Sequence, residues 1–427
     1  MHRRIFLAAL FLTCALGALV TYSISPTTRE VPDETIASLR ECIQDPDTVV
    51  GCSTKLIDTL LTQLNTEETM AVLNESVDPF SCHTLGHIVG QQTYHNTGNL
   101  EDAISLCSVA CDNSCLHGAV SQSIVEETNI EVSSDGTVHL NLPLIQAESE
   151  KLCARRSVCH GVGHILYQVF NDVGRALAQC DESADGSPRE FCYWGVFMEN
   201  ADVISTGNII LGTKRVQLWD ANDPLYPCNA VEEKYRHACY RYQPRIQSRI
   251  WNGTVSPEEK LARRTELCAT LNPTDRASCF EGIGFSLYRD LIRTPEVVRH
   301  ACERLPHTAD RAACMLGAVH PVSRFGYPDT ALRFCAATIG SFERSICYHA
   351  VFESIVYSVI SERMPRFTVR PILTYHCIRY GETGCSIELN DYLGDKWETV
   401  FGLPNSLLAP ETETFTTNAQ AHTKPGE

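Results

Sequence analysis

Cys159-His160-Gly161-Val162-Gly163-His164 and its near-copy Cys82-His83-Thr84-Leu85-Gly86-His87 decide how this chain is read. In each, a cysteine precedes two histidines four residues apart, and residues four apart in a helix share one face. Each stretch also opens one unit of a longer series. Cys82, Cys115, Cys159, Cys192, Cys239, Cys279, Cys314 and Cys347 each begin a largely apolar run, and three of the seven intervals between them are 33 residues. A period of this length is one helix, a turn and a second helix.

A second cysteine stands a nearly fixed distance before most of these, across turn-rich polar residues such as Asn272-Pro273-Thr274-Asp275. One helix therefore ends near the first cysteine and the next begins at the second, with a disulfide clipping the joint. The spacing pairs Cys180 with Cys192, Cys228 with Cys239, Cys268 with Cys279, Cys302 with Cys314, and Cys335 with Cys347. It adds Cys42 with Cys52, Cys107 with Cys115, Cys153 with Cys159, and Cys377 with Cys385, and leaves Cys82 and Cys111 for each other. Each clip contributes about 2 to 3 kcal/mol on the chain-entropy model. Single cysteines ten to twelve residues apart do not form the close pairs of a zinc thiolate site, and no Cys-x-x-Cys-His marks covalent haem.

The expected fold is all-α: a solenoid of about eight disulfide-clipped helical hairpins, either open or curled into an α/α ring, with one or two inserted β-hairpins. Residues 130–142 alternate around Asp135-Gly136 and read as one hairpin; residues 208–219, turning at Gly212-Thr213-Lys214, read as a weaker second. Gly86, Gly118, Gly163, Gly195, Gly282 and Gly317 recur three or four residues after the opening cysteines, where they would otherwise weaken a helix, so close approach between neighbouring helices is expected of them.

In period and cysteine placement, residues 40 to 390 resemble the cysteine-rich, tetratricopeptide-like helical repeats, although the Trp-x-x-Leu-Gly signature is absent from every unit. The resemblance implies a solenoid that binds a protein or a small ligand on its concave face. It carries no functional residue over.

Residues 1–24 differ in character. Arg3 and Arg4 precede about 20 uncharged residues, enough to span a bilayer, with the positive end kept in the cytoplasm. A cleaved signal peptide is the competing reading, and both export the body, as 20 cysteines beyond Cys14 suit an oxidising compartment. The expected layout is a signal-anchor helix over 1–24, a stalk over 25–40, the repeat domain over 41–400 and a disordered tail over 401–427. The body then lies outside the cytoplasm, held by the membrane or secreted. A net charge of −17 without a basic run excludes nucleic acid as partner.

The repeats allow an internal comparison. Where two of them carry His83 and His160, others carry Tyr193, Tyr240, Phe280, Met315 and Tyr348; where they carry His87 and His164, others carry Val120, Phe197, Val319 and Phe352. These four histidines replace core residues and need hydrogen-bond partners or a metal. A His-x-x-x-His pair offers two nitrogens to zinc, copper or iron, half a coordination shell. His117 is the main candidate to complete it, with His95, Glu126, Glu127 and Glu199 as others. Structural hydrogen bonding and metal-free acid/base chemistry stay open beside the metal reading. Neither pair carries the glutamate of zincin proteases, and no nucleophile motif stands out. Two helix steps of about 8 to 10 Å put the pairs roughly 20 Å apart in an open stack, too far to share an ion unless the stack curls. The two function classes are a binding scaffold with a histidine metal site and a metal-dependent enzyme such as an oxidoreductase.

Overall fold

The computed structural model describes residues 33–45, 49–201, 210–211, 216–251, 255–324, 327–361, 369–380 and 383–393. The chain is all-α, with nineteen helices among these residues. The first seven are α1 (Asp33–Cys42), α2 (Val49–Gln63), α3 (Thr66–Ser76), α4 (Pro79–Thr97), α5 (Leu100–Leu106), α6 (Ala110–Glu127) and α7 (Leu142–Leu152). The next six are α8 (Arg156–Phe170), α9 (Val173–Ser183), α10 (Gly186–Ala201), α11 (Glu233–Ile250), α12 (Pro257–Ala269) and α13 (Pro273–Arg293). The last six are α14 (Pro295–Glu303), α15 (Thr308–Arg324), α16 (Pro328–Ala337), α17 (Ser341–Ser361), α18 (Val369–Tyr380) and α19 (Thr383–Leu393).

Local chemistry sets these boundaries. Asn65 and Glu68 form a reciprocal capping box at the start of α3. Asp172 and Asn272 cap α9 and α13 through their side-chain oxygens, and Pro257 and Pro273 take first-turn positions where a missing N–H costs nothing. Asn171 adopts a left-handed conformation that ends α8 and turns the chain into α9.

The eight cysteine-led helices α4, α6, α8, α10, α11, α13, α15 and α17 pack in that order, each on the next, with shorter helices outside them. Ten disulfides join Cys42–Cys52, Cys82–Cys111, Cys107–Cys115, Cys153–Cys159, Cys180–Cys192, Cys228–Cys239, Cys268–Cys279, Cys302–Cys314, Cys335–Cys347 and Cys377–Cys385. Most staple a short helix to the cysteine-led helix after it, and so many bonds fit an oxidising, extracytoplasmic compartment. One apolar core runs from Val120 to Leu389; a smaller one, from Ile36 to Cys115, packs under α1 to α4 and the start of α6.

The row curls. Tyr288 of α13 donates its hydroxyl to Asp112 of α6, and the Arg324 guanidinium of α15 lies 4.8 Å over the Phe191 ring of α10. Glycine sets how closely adjacent members approach. A methyl on Gly118 would fall on the His87 carbonyl, and one on Gly163 would fall on that of Cys192, so these helices touch backbone to backbone.

Three expectations change. Residues 33–40 belong to the packed body, because α1 buries Ile36, Leu39 and Cys42 where a stalk was expected as far as residue 40. The inserted hairpin is short, with Glu131–Val132 paired to Val138–His139 and Gly136 at φ 83° in the turn. Of the second, 208–219, half lies outside the described residues, and residues 210–211 and 216–219 carry no strand; the N-terminal segment 1–24 and the tail 401–427 lie wholly outside them. No helix among the described residues is long and apolar enough to cross a membrane.

Candidate metal centre

Five imidazoles meet where α4, α6 and α8 cross. His83 and His87 come from α4, His117 from α6, and His160 and His164 from α8; all are buried, none more than 8% exposed. The ring centroids of His83 and His164 are 5.8 Å apart and those of His87 and His164 4.9 Å. The curled alternative therefore applies, and the separation of roughly 20 Å expected of an open stack does not. It assumed ordinary interhelical steps and an open stack, whereas glycine lets these helices close onto each other and the row curls so that the rings converge. One nitrogen from each of His83, His87, His117 and His164 lies within 4.8 Å of the others.

The partners of the rings fix which nitrogen points inward. His83 Nδ1 donates to the carbonyl of Cys111 at 2.9 Å, and His164 Nδ1 donates to the Glu199 carboxylate at 2.6 Å. Carbonyl and carboxylate oxygens only accept, so each ring carries a proton on Nδ1 and turns Nε2 toward the centre. Those Nε2 atoms face others at short range: His83 to His87 at 3.1 Å, and His164 to His160 at 3.2 Å. The His160 ring donates in turn to the backbone of Phe191. Gln168 Nε2 donates to the second oxygen of Glu199 at 3.1 Å and holds that carboxylate in place. Histidines anchored through one nitrogen by a carboxylate or carbonyl, with the other nitrogen aimed at a common centre, are the usual pattern around a bound metal.

His117 Nδ1 is buried and has no hydrogen-bond partner. Burial first, and then the neighbouring rings, hold His83, His117 and His160 well below the ordinary imidazole range, so these rings are neutral, the form that ligates. Tetrahedral zinc with bonds of about 2.0 to 2.1 Å places its nitrogens about 3.3 Å apart. Within the group of four, the His83–His87 pair already matches at 3.1 Å. Separations of up to 4.8 Å contract by at most about 1.5 Å as an ion draws the rings in.

A left-handed turn builds one wall of this centre. Cys111, Asp112 and Asn113 have φ of 53°, 61° and 59°, a conformation uncommon outside glycine. Disulfides at Cys111 and Cys115 bracket the turn. It aims the Cys111 carbonyl at His83 and the Asp112 carboxylate at Tyr288.

Beside the centre lies a cleft of about 540 Å³, its open mouth included. His117 and His160 form part of its lining, with Trp194 and Phe191 of α10, Arg241 and Tyr242 of α11, Phe285 of α13, and His320 and Arg324 of α15. The cleft gives a ligand a path to the edge of the histidine cluster. The chain matches no protein-family model, and no match to it was found among curated proteins or solved structures. The geometry alone therefore carries the functional reading.

Of the other residues the sequence put forward, Glu199 joins the site as the partner of His164. His95 and Glu126 do not: they pair with each other at 4.0 Å, with side chains 73% and 44% exposed, and Glu127 does not ligate in the group either. Cys153, Cys159 and Cys192 also cluster, but their sulfurs are bound in disulfides and offer no thiolate. Sequence reasoning missed the arginines, His320 and the aromatic walls of the cleft.

A charged network supports the cleft from behind. His237 stands between Glu190, at 2.9 Å from Nδ1, and Glu281, at 3.0 Å from Nε2, while Arg241 also binds Glu281. Burial disfavours charge on His237, but Glu281 and Glu190 outweigh it and push the ring up to about 10. Burial likewise opposes charge on Glu281, and His237 and Arg241 outweigh that, bringing it down to about 2. The raised His237 contributes stability in full below its ordinary 6.5 and loses it as pH climbs toward 10; the depressed Glu281 contributes in full above its ordinary 4.5 and loses it as pH falls toward 2. His237→Gln should flatten the alkaline side of a urea-midpoint profile measured between those limits. The ring is 42% exposed, so solvent screening keeps the change to a modest shift of midpoint. Identical profiles for both proteins would show that the network contributes nothing.

Proposed function

We propose that this chain is an exported helical-repeat protein that holds a first-row transition metal ion, zinc, copper or iron, among His83, His87, His117 and His164, with His160 at the rim. The observation that carries the reading is the convergence of buried nitrogens whose rings are oriented from behind by Glu199 and the Cys111 carbonyl. An imidazole set suits these three metals better than calcium or magnesium, which prefer oxygen. Residues 1–24 tether or export the body, and the curl of helices offers its inner side to a protein or small ligand. A second reading, a metal-dependent enzyme such as an oxidoreductase, is favoured by the cleft reaching His117 and His160, because catalytic sites keep an open approach that structural ones lack. Bound there, the ion would supply Lewis-acid or redox chemistry, and the protein supplies neutral ligands in a dry setting.

The test is elemental analysis of disulfide-intact protein secreted into medium supplemented with each metal. About one ion per chain is expected, as a single four-nitrogen centre requires. The double variant His87→Ala/His164→Ala should lose it while its far-ultraviolet circular dichroism stays helical. A wild-type protein that takes up none of the three metals refutes the proposal and returns the histidines to a structural role.

A further inference from the structure

We propose that the cleft is an oxyanion subsite, in which Arg241 and Arg324 bind a carboxylate or phosphate group of a small ligand whose far end reaches the His117 and His160 edge of the histidine cluster. The chain carries a net charge of −17, yet its inner helices bring two guanidinium groups to one concavity. Burying the Arg241 guanidinium is costly unless its charge is matched. Arg241 is 4% exposed. Its guanidinium lies between two aromatic faces, 4.4 Å from the Trp194 centroid and 4.5 Å from that of Phe285. Glu281 takes one of its terminal nitrogens, and Nε is buried without a partner. A guanidinium has five N–H donors in a planar fork. Rings on both faces fix the plane of that fork, which is the preorganisation that bidentate binding of an oxyanion needs.

Of the other groups in the lining, Asp112 alone carries a negative charge. Arg324 lies over Phe191 on the far side of the cleft, and His320, one turn before it, is kept neutral by burial and by both arginines, so it can donate or accept a hydrogen bond. Glu281 is already shared between Arg241 and His237. Asp112, the carboxylate at the rim, accepts from the Tyr288 hydroxyl. The aromatic walls suit a ligand with an apolar body behind its anionic head. The anion site stands on side chains other than the metal ligands; only the placing of the ligand's far end rests on the metal reading.

Calorimetric titration of the disulfide-intact, full-length protein with inorganic phosphate and with benzoate tests this, with benzamide as the uncharged counterpart of benzoate. Saturable binding of at least one anion is expected, no binding of benzamide, and a weakening of about tenfold or more in Arg324→Gln and in Arg241→Gln, the scale of one lost charge-assisted contact. Preference for phosphate or benzoate tells which oxyanion the site takes. Arg324→Gln decides the matter if Arg241→Gln, which deprives Glu281 of a partner, does not fold. Saturation by neither anion, equal binding of benzamide, or undiminished affinity in the folded variants overturns the proposal. Metal content measured on the same samples separates the two readings: arginine-dependent anion binding without metal removes only the metal centre, and metal without anion binding removes only the subsite.

Discussion

Replacing Gly118 with valine is expected to cost about 3 kcal/mol of stability and to abolish metal uptake. The new side chain would have to occupy the space of the His87 carbonyl and Cα. Backbone cannot step aside as the end of a flexible side chain can, so α4 and α6 must separate, carrying His83 and His87 away from His117 and His164. Thermal unfolding and elemental analysis of the same preparation measure both losses. Gly51→Ala is the matched control. Gly51 lies inside α2, and nothing stands within 4 Å of an added methyl. Alanine there should raise stability by a few tenths to about 1 kcal/mol through helix propensity alone. A Gly118→Val protein as stable and as metal-competent as its parent would mean that the close crossing does not position the site.

Substitution at Glu199 separates metal affinity from folding. Glu199→Gln keeps the shape and an oxygen to accept from His164 Nδ1 but removes the negative charge that strengthens the ring as a donor to metal. Loss of such an outer partner typically costs about 10- to 100-fold in affinity, and the glutamine variant belongs near the lower end of that range. Glu199→Ala, which also frees the His164 ring to turn, belongs near the upper end. Stability of the metal-free protein should move the other way or not at all, because a carboxylate 2% exposed is expensive to bury and glutamine relieves that cost. Competition with a chelator of known affinity reads the first effect and urea unfolding of the stripped protein the second. Unchanged affinity in both variants would reduce Glu199 to a packing residue.

Much of the architecture could be read from cysteine spacing, because a clip across a helix joint forces a short, nearly constant separation whatever the intervening residues are. The histidines were legible for a related reason: repeats supply their own comparison, and imidazole stands out where sister units have tyrosine or phenylalanine. Their meeting was not legible. It depends on the summed curvature of the row and on the depth of each glycine crossing, quantities that no local pattern encodes. The cleft was missed although a register marks it. His117, Trp194 and Arg241 stand two residues after an opening cysteine, while Met198, Phe285 and His320 stand six after. These positions face the inside of the curl, and their chemistry reads as scattered until the curl is known.

The left-handed turn at Cys111 to Asn113 bears on how the protein matures. Three consecutive non-glycine residues seldom adopt that conformation, although Asp and Asn enter it more readily than most, and the disulfides at Cys111 and Cys115 constrain the chain there. Until they close, His83 lacks the acceptor that presents its lone pair inward. If the centre holds an ion as proposed, oxidation precedes loading, and a chain still reduced, as in a thiol-rich cytoplasm, has no finished site to offer.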